Sequence, residues 1–264
     1  MSAEQAAAGG SIHHISLGTV ESTNDEAMRR ARSGVRLPLW VTAERQVSGR
    51  GRQGAFWASE IGNLYASLAL EISGVRISEL PLVAAVALHD ALLERLGADE
   101  AQRLAIKWPN DILFDGRKLS GILAESQTGH GDTVLAIVGI GVNLAHHPED
   151  TRHPATDLAA EEIALEPADL FISLADCMAY RLAQWQEGQG RGFGQIRAAW
   201  LDRASGIGKM IDVRLPGETL SGRFAGLDET GRLVLRQADG TDRLISAGEV
   251  FFTDQNDTGT RHGE

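Results

Sequence analysis

Cysteine is almost absent. Cys177 stands alone among 264 residues, which excludes a disulfide framework and a multi-cysteine zinc site; it falls in a helical pattern and reads as core. Long apolar runs are also missing, so no segment reaches membrane-spanning length and no membrane partner is expected. The opening MSAEQAAAGG carries an acid and lacks the basic stretch of a secretory signal. A cytoplasmic location is therefore expected. Positive charge is in deficit: the net charge is −11, whereas a general nucleic-acid binder needs a basic face to meet phosphates.

Hydrophobic residues make up 43% of the chain, enough to build a core, and the length suits one large domain plus a small one. Residues 1–10 read as disordered and 12–17 as a strand. Thr23 and Glu26 have capping-box spacing before a helix that Gly34 stops. Strands are expected over 39–44 and 63–71. Pro81 opens a helix with Leu82, Val86, His89, Leu93 and Leu96 on one apolar stripe, ended by Gly97; His89 reads as a packed core histidine. Further strands are expected over 103–108, 111–114, 118–126 and 134–144, with Asp115-Gly116 as a hairpin turn. Helices are expected over 169–187 and 195–204. Beyond Gly206, short β runs over 210–215, 220–227, 232–237 and 243–246 are separated by PGE, DETG and DGT, which suggests a small barrel. The domains are thus 11–205 and 206–254, with a frayed tail over 255–264.

Gly49 to Gly54, GRGRQG, matches the dinucleotide-binding spacing G-x-G-x-x-G. That fingerprint requires a helix opening at the third glycine. The chain instead continues as AFWASEIGNLYASLAL, in which Phe56, Trp57, Leu64 and Tyr65 read as aromatic and strand-like. The context test fails. The loop remains a local positive island, Arg50 and Arg52 among glycines, on an acidic protein.

Four further segments stand out: Glu21-Ser22-Thr23-Asn24, Lys107-Trp108-Pro109-Asn110-Asp111, Arg117-Lys118-Leu119-Ser120-Gly121-Ile122 and Gly139-Ile140-Gly141-Val142-Asn143. Together with Gln46 and the loop from Gly49 to Trp57, they closely resemble the catalytic core of biotin protein ligases. The resemblance is dense from about Ile12 to Leu144 and returns in the C-terminal β region. It implies an α+β catalytic domain, a mixed sheet with helices like that of class II synthetases, followed by a small SH3-like barrel. It also implies an ATP-dependent ligase that joins biotin to AMP and then to a lysine of a carrier domain, with Mg²⁺ accompanying ATP and no protein-held metal site.

Such chemistry brings a carboxylate against a polyphosphate, so it needs cations and positioned donors more than a nucleophile. By the resemblance, Lys118 meets the biotin carboxyl, and Lys107 with Asn110 faces the phosphates. Arg52 holds the loop closed, with Arg50 and Gly51 beside it. Asp111 orients the acceptor amine or takes its proton. Ser22, Thr23, Asn24 and Gln46 serve the ureido group, and Trp57 supplies an apolar wall. Gly121, Gly139 and Gly141 allow close approach of ligand to backbone, and Asn143 lies on the adenosine side. Each residue also has a plain reading. Lys107 and Lys118 are ordinary surface lysines, Ser22 or Thr23 is a helix cap, and Trp57 is core. Asp111 forms a turn, and the glycines mark a bulge or bend. The segment HHPEDTRHPATDL offers no aromatic cover for adenine.

Lipoate ligases and lipoyl or octanoyl transferases share the expected architecture, and a non-enzymatic biotin-binding protein is the alternative of another class. GRGRQG with Trp57, and KWPND, favour biotin; intact Arg52 and Lys118 favour an enzyme. Some members of the family carry an N-terminal DNA-binding domain. Here the residues before the core motifs are few and rich in Ala and Gly, so DNA binding is not expected. Monomer and homodimer both stay open, the edge of the 134–144 strand being one place where a second copy could pair.

Overall fold

The computed structural model describes residues 13–128, 133–149, 151, 153–187 and 192–252. The segments expected to be disordered or frayed, 1–10 and 255–264, lie outside them.

β1 (His13–Val20) and β2 (Leu39–Gln46) run parallel, and α1 (Thr23–Arg32) makes the crossover that a parallel pair requires. The chain continues through β3 (Leu64–Ser73), α2 (Leu80–Leu93), a single turn α3 (Ala98–Ala101), β4 (Leu104–Lys107), β5 (Asp111–Phe114), β6 (Arg117–Thr128) and β7 (Thr133–Val142). Two helices come next, α4 (Pro167–Gln186) and α5 (Gly192–Asp202). The sheet order is β1-β2-β3-β7-β6-β5-β4, and every pairing after β1–β2 is antiparallel. Asp115 and Gly116 both have positive φ, 49° and 74°, the tight turn expected between β5 and β6.

Three expectations are corrected. The cap of α1 is Ser22 rather than Thr23: its hydroxyl accepts from Asp25 N at 3.4 Å, while Glu26 binds Arg29 and Arg30 instead of closing a capping box. α2 has no single apolar stripe. Residues 82–89 are buried without a break, because α4 and α5 cover the side turned away from the sheet, whereas Leu93, placed on the stripe by its spacing, is exposed. Finally, β7 is no edge. It is hydrogen-bonded to β3 on one side and β6 on the other, so a second copy cannot pair with it.

The second sheet comprises β8 (Met210–Leu215), β9 (Glu218–Leu227), β10 (Leu233–Arg236), β11 (Asp242–Ile245) and β12 (Glu249–Phe252). It is antiparallel throughout in the order β11-β10-β9-β8-β12, an arrangement that fits an SH3-like fold. β12 was not expected, although Ser246-Ala247-Gly248 separates EVFF from the preceding run. Leu82, Phe193, Trp200, Phe224 and Leu233 belong to one continuous apolar core that joins both sheets. The Trp108 indole N–H donates to Gly231 O at 3.2 Å across the junction.

Candidate active site

A cavity of about 500 Å³ opens where the loop after β2, the start of α1, the ends of β4 to β7 and the start of β12 meet. Every site residue singled out in the sequence lines it. Its walls differ in chemistry.

One wall is neutral and polar. Because Ser22 caps α1, Thr23 is left to bind elsewhere: its N–H and hydroxyl both donate to Gln46 Oε1, at 2.8 and 3.0 Å. Gln46 Nε2 donates to Ser59 Oγ at 3.0 Å. Ser67 Oγ lies 2.8 Å from Thr23 Oγ1 and 2.6 Å from Asn24 Oδ1, and Asn24 Nδ2 donates to Glu125 Oε2 at 2.6 Å. These side chains are held by one another, which fixes their orientation toward a ligand.

The glycines face side chains. A Cβ at Gly141 would stand 2.6 Å from the Trp57 indole and one at Gly121 2.9 Å from it, while one at Gly139 would collide with the Asn24 amide. The pairing of Gly121 with Gly141 and of Gly139 with Leu123 and Ser67 is regular, so the bulge reading of these glycines fails; the bulge lies at Ile112/Leu113. The glycines make a shallow floor on which Trp57 lies. The indole N–H is buried and has no partner among the described residues.

Cations line the cavity as well. Lys118 Nζ donates to Asp111 Oδ1 at 2.7 Å and stands 5.6 Å from the Trp57 ring. Arg52 Nη1 donates to Asn110 Oδ1 and to Gly248 O, both at 3.3 Å; burial pulls its guanidinium below the ordinary arginine value, against the charges of Asp111 and Glu249. Lys107 is only 6% exposed. Burial lowers its ammonium likewise, with Lys118 adding to the effect and Asp111 and Glu249 opposing it. Lys107 is thus not an ordinary surface lysine. Arg50 behaves differently: it forks onto Asp25 at 2.6 Å through both nitrogens and lies 3.7 Å from Glu125, which raises its pKa. Two asparagines serve the backbone, Asn110 Nδ2 to Ile122 O at 2.6 Å and Asn143 Nδ2 to Thr156 O at 3.1 Å. Among the described residues, no three His, Cys, Asp or Glu side chains are grouped to hold a metal.

The chain is similar to known proteins over most of its length. Residues 18–143 match the biotin/lipoate A/B protein ligase family and residues 206–253 the biotin protein ligase C-terminal domain. A biotin–[acetyl-CoA-carboxylase] ligase of Paracoccus denitrificans is 41% identical over 246 residues, covering 89% of this chain and 99% of the relative. The chain belongs to the biotin protein ligase family. Among solved structures, the Aquifex aeolicus biotin protein ligase in complex with biotin and ATP superposes with a TM-score of 0.77 at 25% identity, over 91% of this chain and 99% of that one. The Leishmania major biotin protein ligase with biotinyl-5-AMP gives a TM-score of 0.63 at 29% identity, over 89% and 98%. The α+β fold with a C-terminal SH3-like domain is the fold of biotin protein ligases.

Several residues that line this ligase's cavity escaped the sequence reading. Gly248, Glu249 and Val250 reach it from the second sheet, and Thr151 and His153 from the loop after β7. Ser59, Ser67 and Glu125 lock the polar wall from behind. None has a local signature. Glu249 opens an ordinary β run and is brought to the site by the packing of one sheet on the other.

Proposed function

We propose that this enzyme activates biotin as biotinyl-5′-AMP and transfers it to a lysine of a biotin carboxyl carrier domain. The observation that carries the reading is the gathering of Arg52, Lys107 and Lys118 in one cavity whose other walls are neutral, polar and aromatic. An oxygen of the biotin carboxylate attacks the α-phosphorus of ATP, the bond to the bridging oxygen breaks, and pyrophosphate leaves. Lys118 neutralises the carboxylate as it approaches the phosphate. Lys107 and Asn110 take the phosphates, and Mg²⁺ arrives with ATP as part of that substrate. Thr23, Asn24 and Gln46 offer donors and acceptors to the ureido group, and Trp57 covers the ring.

In the second step the carrier lysine must be a neutral amine. Asp111 lies within a hydrogen bond of Lys118, close to where the acyl carbon would be held, and accepts the proton as the amide forms and AMP departs. Residues 11–205 form the catalytic domain. Residues 206–254 form the smaller one, a division that the match at 206–253 supports. The enzyme acts in the cytoplasm and, with a net charge of −11, binds no operator DNA.

Pyrophosphate release measured with biotin and Mg·ATP, then with lipoate in place of biotin, tests the activity. Release with biotin alone is expected. Release with lipoate alone would assign the chain to lipoyl chemistry, and binding of biotin with no release would make it a non-enzymatic binder.

A further inference from the structure

His153 sits between the two sheets. Its Nε2 lies 2.9 Å from Glu249 Oε1 at the start of β12, and its Nδ1 lies 3.4 Å from Lys107 Nζ at the end of β4. The ring packs on Phe251 of the same strand, with centroids 4.6 Å apart and planes at 32°. Only one neutral tautomer satisfies both polar neighbours. A carboxylate accepts, so Nε2 carries the hydrogen; an ammonium donates, so Nδ1 presents its lone pair. Lys107 is thereby given an acceptor on the side of the second sheet. Its four-carbon stem would otherwise leave the ammonium several rotamers.

We infer that His153, braced by Glu249, is a positioning residue that holds the Lys107 ammonium for ATP, so that the second sheet sets the phosphate-binding cation of the first. The inference rests on the assignment of Lys107 to the phosphates. It has a consequence in pH. Protonated His153 would turn an N–H toward the ammonium in place of a lone pair, and Lys107 would be released. The charged groups acting on His153 are Lys107 from β4, Asp111 from β5 and Glu249 from β12. Burial and Lys107 push its pKa below the ordinary 6.5, while Glu249 and Asp111 oppose them. The accepting form is therefore complete above that ordinary value and is lost as pH falls through the lowered one.

The test is steady-state adenylation by the full chain with single and double variants. His153→Ala should raise KM for ATP by roughly tenfold, the effect of one charge-assisted hydrogen bond, and leave KM for biotin unchanged. His153→Asn keeps an acceptor oxygen near the place of Nδ1 but cannot titrate. It should recover most of the ATP affinity, and the ratio of wild-type to variant activity should fall on the acid side, where ATP itself titrates identically in both. Lys107→Ala with His153→Ala should be no worse than Lys107→Ala alone. If the two effects multiply, or the ratio to His153→Asn is flat with pH, His153 does not act through Lys107, although Lys107 keeps its role. If Lys107→Ala leaves KM for ATP unchanged, the phosphate assignment itself is wrong. Should His153→Ala fail to fold, the Asn variant carries the pH test alone.

Discussion

Lys118 and Asp111 stand 2.7 Å apart across the β5–β6 pair and form an ion pair inside the cavity. Lys118→Ala removes the cation assigned to the biotin carboxylate. A charge-assisted contact is worth roughly 1.5–3 kcal/mol, so single-turnover adenylation should slow by about ten- to hundredfold; an unchanged rate would strip Lys118 of that role. A second residue reports on stability. His89 is 5% exposed on α2 and its Nδ1 has no partner among the described residues. Burial, followed by the charge of Arg203, pulls its pKa down to about 4. A depressed histidine is neutral in the fold and charges on unfolding. Its stabilising effect is therefore whole above about pH 6.5 and is lost as pH falls toward 4, by up to about 3 kcal/mol. Urea midpoints of wild type and His89→Leu should differ in slope across that window and run parallel above it. The sequence could identify His89 as core from its spacing. It could not decide between Ser22 and Thr23 as the cap, because either hydroxyl satisfies an N-terminal pattern; the tie is broken by Gln46, 23 residues away, which takes Thr23 for the cavity.

GRGRQG acts as an element of its own. It makes one tight turn, in which the Ala55 N–H donates to Arg52 O at 3.1 Å and Gln53 and Gly54 both have positive φ, 56° and 74°, and a single bridge between Arg50 and Phe56 closes it. The loop is fastened at two points: Arg50 to Asp25 on α1, and Arg52 to Asn110 and to Gly248 on the second sheet. Arg52→Gly loses one fastening and adds a residue with more conformational freedom to order. Biotinyl-adenylate should then leave faster and acylate exposed lysines of unrelated proteins. Incubating the variant with biotin, Mg·ATP and a bystander protein, then probing the bystander for biotin, checks this; adenylate retained as tightly as by wild type would show that the loop is no lid. The absence of an amphipathic helix after Gly54 could be read from its residues, as could the β5–β6 hairpin, since both depend on near neighbours. The burial of α2 on all sides could not, because its spacing says nothing of a second helical layer laid over it. Glu249 escaped for a like reason: β12 pairs with β8 in its own sheet, and it is the packing of one sheet on the other that brings Glu249 to the cavity.

At the scale of the whole molecule, the two sheets share one core and the cavity lies across their junction, so binding and stability meet at the same surface. Gly231 shows how tight the junction is. It has φ +83°, its carbonyl accepts from Trp108 Nε1 at 3.2 Å, and a Cβ there would collide with Leu82 and come within 3.1 Å of Phe193. Trp108 is the residue next to Lys107, and Leu82 lies on the helix buried between the sheet and α4. An alanine at 231 would therefore meet two penalties, a backbone conformation that L residues avoid and a clash in a packed core, together about 2–5 kcal/mol. Because the core is continuous, that loss belongs to the whole chain and not to the second sheet alone. Gly231→Ala should lower a single cooperative melting transition by about 2–4 °C for each kcal/mol, with tryptophan fluorescence and far-ultraviolet circular dichroism falling together. If the variant instead melts in two steps, the second sheet first, the sheets are independent units. The continuous core would then not be what ties the Arg52 and His153 contacts of the second sheet to the site.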